Sequence, residues 1–431
     1  MADAPGLLPE TSLPQVAAAS SLLRWATRLA PALRARNFRL FWIGQTFSLV
    51  GTSLQVVAEG WLIYELTGST FWLGMAGLLG LLPVLPVSLL GGVLIDRVPR
   101  RKLILFTQCA LLVQATVFGL LVISGQLALW HIIVLYFCFG AILAIDHPAR
   151  RAFLVELVEP ADLANAVALN GAVFNLSSLI GYAAGGLLIA TLGAGAAILL
   201  NAATFLAPIV ALSLIRVADV GAEQKGAHPA SATLMGAMTE GLLTLWRQPA
   251  VLGAISLMAV VGGLTWPLFG LLPAYAEQVV HTGAIGLGLL MAAGALGSVL
   301  GTVLVAFLGA HQRGRTLALV SFILPFLILA FGWTTQIIVA GLILVAAGAA
   351  LLVLQSLAIT IVQLQTPDRV RGRVMSLYSM LHAGADTMGN VAVGGAATYL
   401  GLPWALCVGG VAAALYALGL RAVLPSVHKL D

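Results

Sequence analysis

The chain has 431 residues, of which 60% are hydrophobic and only 9% charged. Soluble domains carry about 25% charged residues, so a water-facing surface is excluded for most of a chain this long, and its solvent is lipid. The net charge of +5 does not point to nucleic acid, because the basic residues lie in short loops between apolar runs.

Unpaired backbone groups are too costly in hydrocarbon, so lipid-facing chain forms helices or a closed barrel. The apolar runs are about 20 residues long and do not alternate polar with apolar, which selects helices. Residues 1–35 lack the apolar core and small-residue cleavage site of a signal peptide. Pro5, Pro9 and Pro14 mark a tail. Arg24, Arg28, Arg34 and Arg36, mixed with Leu22, Leu23, Trp25 and Leu29, read either as a short basic helix on the membrane surface or as a basic lead-in.

Membrane spans are predicted at 40–64, 71–95, 103–124, 128–145, 164–192 and 194–215. A second set follows at 251–274, 284–308, 317–333, 337–362, 375–399 and 404–420. The polar stretch between them separates two six-helix bundles, so the expected division is tail 1–36, bundle 37–216, linker 217–249, bundle 250–421 and tail 422–431. Within the linker, 234–246 has the pattern of an amphipathic surface helix.

With the N-terminus inside, every Lys and Arg falls on the cytoplasmic side and none on the other. Trp61, Trp72, Trp130, Trp333 and Trp404 then fall near the outer ends, as an aromatic belt requires. Both termini are expected in the cytoplasm.

The two sets also repeat each other. VELVEPADLANAVAL (155–169) parallels VQLQTPDRVRGRVMS (362–376), with Pro160 opposite Pro367. Gly185–Gly186 matches Gly394–Gly395, Leu192–Gly193 matches Leu400–Gly401, and Arg36 matches Arg247. A parallel repeat of six-helix units is a transporter architecture, with the pathway between the units. The expected fold is therefore all-α and integral to the membrane, with twelve transmembrane helices in two pseudo-symmetric bundles.

At the cytoplasmic end of the second span stands GGVLIDRVPRRK (91–102). Basic residues there suit an ordinary positive-inside loop, but Asp96 after paired glycines is not needed for topology. The string resembles the signature loop between the second and third helices of the major facilitator superfamily. That resemblance implies a charge network latching the outward-facing state, carried here by Gly92, Asp96, Arg97, Arg100 and Arg101. Pro99 stands where the family usually has Gly, and in GAHQRGR (309–315) Ala310 stands near where an Asp would be.

AIDHPARRAFLVELVEPADLANAVALN (144–170), WLIYELTGST (61–70) and TPDRVRGRVMSLY (366–378) are similar to a bacterial branch of that superfamily. The branch includes the enterobactin exporter and related multidrug exporters. GYAAGGLLIA (181–190) resembles the fifth-helix motif of exporters that exchange substrate for protons. Tyr182 replaces its usual Pro, while Gly181, Gly185 and Gly186 keep the small-residue spacing. Plain helix packing explains these glycines equally well.

Ionisable residues inside spans are costly and mark pathways by default. Asp386, about a dozen residues into the eleventh span, and Glu59 in the first are the candidates for the transport pathway or proton coupling. His382 precedes Asp386 by one turn, so the two can share a proton. Gln55, Asn175 and Gln355 are polar neighbours for the same cavity, and a structural hydrogen bond accounts for any of these residues as readily. Asp146 lies four residues before Arg150 and suits a pair with it.

Cys109, Cys138 and Cys407 lie apart in apolar runs and form no metal motif. The sequence has no Walker, GxSxG or HExxH motif, so neither direct ATP use nor hydrolytic chemistry is expected. The expected function is alternating-access export of a small amphiphilic compound, drug-like or a siderophore, coupled to proton entry. No cofactor is expected. The expected partners are the substrate, protons and the lipid bilayer of a bacterial inner membrane, with the chain acting as a monomer. Uptake by the same fold is the alternative. A membrane enzyme or receptor would need a catalytic cluster or a large soluble domain, and the sequence carries neither.

Overall fold

A computed structural model describes residues 30–84, 86–87, 98–216, 248–308 and 313–423. Helices α1 (Arg36–Thr67), α2 (Thr70–Leu81), α3 (Arg100–Ile123), α4 (Leu129–Leu157) and α5 (Leu163–Leu192) come first, then α6 (Ala194–Leu214). Beyond residue 247 come α7 (Pro249–Gly270), α8 (Gly283–Leu308), α9 (Arg313–Gly332), α10 (Ile337–Gln365), α11 (Asp368–Leu400) and α12 (Leu402–Val423); the expected linker lies almost wholly outside the described residues. No strand occurs among the described residues.

Ten of these helices are long and apolar enough to cross a membrane. The second predicted span is described only over its first part, α2. Helix α11 has the length, at 33 residues, but carries Arg371, Arg373, His382, Asp386 and Asn390 and does not rank with the ten. Several helices outrun their predicted spans. Helix α4, expected to end at 145, continues to Leu157, and α11, expected from 375, starts at Asp368. Hydropathy registers only the length that sits in lipid, whereas backbone hydrogen bonding carries the helix on into polar sequence.

The helix ends echo the sequence repeat. Gly193 and Gly401 end α5 and α11 with φ of 85° and 81°, a conformation that favours glycine. Pro160 and Pro367 stand before the same two helices, where a missing N–H costs nothing. Helix α7 is irregular. It contains a π-turn at Met258–Gly262 and is broken near Pro267, and a short helix, Leu272–Gln278, with Pro273 in its first turn follows it; each proline removes a backbone donor.

One end of the molecule gathers the described basic residues. There Arg101 Nε donates to Leu212 O at 2.7 Å, Arg101 Nη2 to Ser213 O at 3.1 Å, and Asn37 Nδ2 to Arg216 O at 3.0 Å. These donors satisfy carbonyls that the end of α6 leaves free, and the cationic ones also suit its dipole. Arg100 pairs with Glu156, tying α3 to α4. Beneath them Phe38, Phe41, Ile104, Phe153 and Leu212 form a small buried core, with Phe41 and Phe153 edge to face at 5.7 Å.

Candidate transport pathway

The opposite end is where the first six helices meet the last six. Thr70 Oγ1 donates to Gly394 O at 2.8 Å and lies 3.2 Å from Thr398 Oγ1. Gln278 Nε2 donates to Tyr64 Oη at 2.5 Å. Glycines set the closeness. A Cβ on Gly74 would fall 2.3 Å from Asn390 O, and one on Gly186 would fall 2.6 Å from Ala284 O and 2.7 Å from Gly288 Cα. The helices α2 and α11, and α5 and α8, therefore touch backbone to backbone, as small residues permit. Together these contacts make a seal between the two sets of helices at this end. Further towards the basic end, Asn175 Nδ2 donates to Thr302 Oγ1 at 3.3 Å, again between the two sets.

Asp386 lies past the middle of α11, about 27 Å along from Asp368 at helical rise. Its Oδ2 is 3.1 Å from His382 Nδ1, and both side chains keep partial exposure, 13% for Asp386 and 26% for His382. Its buried Oδ1 has no hydrogen-bond partner among the described residues. One turn further, Asn390 Nδ2 donates to Asp386 O at 3.0 Å, while the Asn390 backbone carbonyl is the atom Gly74 approaches. The ring of Tyr378, one turn the other way, meets His382 edge to face. The His382–Asp386 pair thus sits directly beneath the seal. The i, i+4 spacing on one helix brings it together.

Glu59 has different surroundings. It is 4% exposed. Gln55 Nε2 donates to Glu59 Oε1 at 2.6 Å, Asn201 Nδ2 donates to Gln55 Oε1 at 2.5 Å, and Thr204 Oγ1 donates to Asn201 Oδ1 at 3.0 Å. Tyr136 shares a further hydrogen bond with the carboxyl. This polar chain runs between α1, α4 and α6, with no cation in it. Next to it, Gly60 lies against Pro273, so the carboxyl stands level with the seal.

The remaining expected residues divide. Gln355 is half-buried on α10 and joins none of these bonds. Gly181 and Gly185 pack on α1, against Val50 and Val57, whereas Gly186 packs on α8. The same motif therefore serves packing inside the first set and contact across to the second. Of the latch residues, Gly92, Asp96 and Arg97 lie outside the described residues, and Arg100 and Arg101 are engaged within the first six helices as above. Asp146 pairs with Arg150 at 2.5 Å and also accepts from Thr107 at 2.6 Å and Gln108 at 3.1 Å.

Asn201, Tyr136 and Asn390 were not singled out by the sequence. The rule that selected Gln55 and Asn175, a polar side chain within an apolar run, applies equally to Asn201 and Asn390. A tyrosine in a span carries no such signal.

The family model described as transmembrane secretion effector matches residues 26–431. The multidrug efflux pump Tap of Mycolicibacterium fortuitum is 25% identical, over 88% of this chain and 94% of Tap. The enterobactin exporter EntS of Citrobacter koseri is 28% identical, over 86% of this chain and 88% of EntS. The macrolide efflux protein A of Streptococcus pyogenes is 23% identical over 64% of this chain and 68% of its own. A bacterial homologue of the human lysosomal transporter Spinster, solved in an inward-facing and unoccupied conformation, superposes with a TM-score of 0.68 at 16% identity, covering 92% of this chain and 98% of that one. That last likeness concerns the fold. With its apolar helices and the family match, the chain is a multi-pass membrane protein that belongs to the transmembrane secretion effector family of the major facilitator superfamily, whose members are transporters and not enzymes.

Proposed function

We propose that this chain exports a small amphiphilic compound, drug-like or siderophore-like, from the bacterial cytoplasm by alternating access, with protons entering in exchange. In this reading residues 37–216 and 250–421 are two six-helix bundles of a twelve-span transporter, joined by the linker 217–249. Both termini and the basic end are cytoplasmic.

The observation that carries the reading is the asymmetry of the two ends. The bundles meet through backbone contacts at the end holding Gly74, Gly186 and Thr70, whereas at the basic end Arg100 pairs with Glu156 and Arg101 bonds to the carbonyls of α6, all within the first six helices. That is the form expected of a transporter open to the cytoplasm. The His382–Asp386 pair, partly exposed beneath the seal, is the proton site of this proposal, and Gln55, Asn175 and Gln355 belong to the polar lining. Glu59 acts from within its hydrogen-bonded chain. Coupling then follows from linkage: a proton that binds one conformation more tightly shifts the balance, and substrate competes for that shift. Gly92, Asp96, Arg97, Arg100 and Arg101 form the latch of the opposite, outward-open state. The efflux activities named for the relatives support the direction.

The test is transport into inside-out vesicles with a panel of amphiphilic fluorescent compounds. An acidic lumen should drive accumulation, and a protonophore should abolish it. Accumulation indifferent to the pH gradient overturns proton coupling. Cells expressing the chain that hold more compound than controls overturn export.

A further inference from the structure

On the flank of the molecule a groove of about 490 Å³ runs between α7, α9 and α12. Its floor contains Leu257, Ser321 and Ala417, all buried, and its walls include Phe322 and Leu418, both exposed. Arg315, in the first turn of α9, and Arg421, in the last turn of α12, also line it. No acidic residue lines the groove, and neither arginine has an ion-pair partner among the described residues. The groove shares no residue with the seal or the His382–Asp386 pair.

Two guanidiniums at the rim of an apolar slot pose a specific problem of solvation. The slot lies in the lipid-facing part of two spanning helices, and the arginines lie at their ends, where headgroups sit. Water satisfies the charges but leaves the apolar walls exposed. A neutral lipid covers the walls but offers the arginines no net charge. A guanidinium presents a planar fork that matches phosphate oxygens, and basic clefts between spanning helices suit anionic headgroups. A free phosphate would gain nothing from Phe322 and Leu418.

We propose that this groove is a binding site for one anionic glycerophospholipid, with its phosphate held between Arg315 and Arg421 and one acyl chain along Phe322 and Leu418. Each arginine near a membrane surface contributes on the order of 1 kcal/mol to anionic lipid binding, which sets the expected effect at about thirtyfold for the pair.

The experiment titrates delipidated, full-length protein with phosphatidylglycerol and with phosphatidylcholine of the same acyl chains, and counts bound lipids by native mass spectrometry. Wild-type protein should retain one phosphatidylglycerol in preference to phosphatidylcholine. The double variant R315Q/R421Q should weaken that lipid about thirtyfold and leave phosphatidylcholine binding unchanged. R315K/R421K should recover most of the loss, which a folding defect would not allow. Leu418→Ser should weaken the lipid with both arginines intact. Inorganic phosphate at millimolar concentration should not displace it. The proposal is overturned if R315Q/R421Q retains phosphatidylglycerol as the wild type does. Equal loss of both lipids, or displacement by inorganic phosphate alone, overturns it too.

Discussion

The two ends of this molecule are held together by different chemistry. At the basic end, Arg100 pairs with Glu156, Arg150 with Asp146 and Arg101 with the carbonyls of α6 within the first six helices, and Arg371 pairs with Asp368 within α11. At the opposite end, the two sets of helices join through glycine backbone contacts and neutral hydrogen bonds. The difference is physically apt for a moving part. A buried ion pair, once broken, leaves charges in a poor solvent and costs several kcal/mol. A neutral hydrogen bond nets about 1 kcal/mol, and a glycine contact separates without leaving a charge behind. Under the alternating access proposed here, the strong bonds lie where each unit stays rigid, and the weak ones where the units part.

The largest effect tests the rigid side. Asp146 is 2% exposed and accepts bonds from Arg150, Thr107 and Gln108. Asp146→Ala strands the Arg150 guanidinium and should cost about 3–5 kcal/mol, seen as a fall in the unfolding midpoint and in the yield of folded protein. An unchanged midpoint would mean that the pair is solvated and the rigid end is held otherwise.

Next comes the seal. The atoms facing Gly186 are backbone, Ala284 O and Gly288 Cα, so a side chain there cannot be accommodated by rotating a neighbour. Gly186→Val should destabilise the closed seal by about 1–3 kcal/mol while each set of helices stays folded. With Cys109, Cys138 and Cys407 replaced, a cysteine at position 383 (Ala383→Cys) reports the change. It should react faster with an impermeant thiol reagent applied from the sealed side. Unaltered labelling would show that the contact does not control access.

The sequence made part of this comparison legible. Spans and loops were readable because about 20 apolar residues are needed to cross hydrocarbon, and the matched Leu192–Gly193 and Leu400–Gly401 pairs adopt the same backbone conformation. The pairing of His382 with Asp386 followed from helical spacing. Contacts between distant helices were not readable. Nothing in Gly74 signals that it faces Asn390, because the identity of a partner across a helix interface is a property of the packed fold. Glu59 illustrates the same limit. Its position in a span marked it, but Asn201 and Tyr136, which surround it, are far away in the chain.

A third prediction concerns the proposed proton site beneath the seal. Asp386→Asn preserves shape and removes the titrating carboxyl. Folded protein should be unaffected, and the pH dependence of transport should flatten, with gradient-driven flux falling about tenfold, within the usual range of coupling energies. Glu59→Gln should also change the profile, while its amide can still bond to Gln55 and Tyr136. A normal profile in both variants would reduce these carboxyls to structural elements.

The smallest effect is the most direct measure of the seal's weakness. Thr70 Oγ1 donates to Gly394 O and meets Thr398 Oγ1 across the interface. Thr70→Val keeps the volume and the β-branch and removes only the hydroxyl. In the sealed state Gly394 O keeps a bond from Thr398 at 3.2 Å, so the variant leaves no buried acceptor unpaired. The expected cost is therefore close to that of one net hydrogen bond, about 1 kcal/mol, or a shift of about fivefold towards the unsealed conformation. The same cysteine at position 383 should label about fivefold faster from the sealed side, with the unfolding midpoint unchanged because the bond does not lie within either set of helices. Thr398→Val should move labelling less, since Thr70 still bonds to Gly394 O. If Thr70→Val lowers the unfolding midpoint and leaves labelling alone, this hydroxyl stabilises the fold and not the seal. The contrast between a rigid end and a separable one would then rest on the glycines alone.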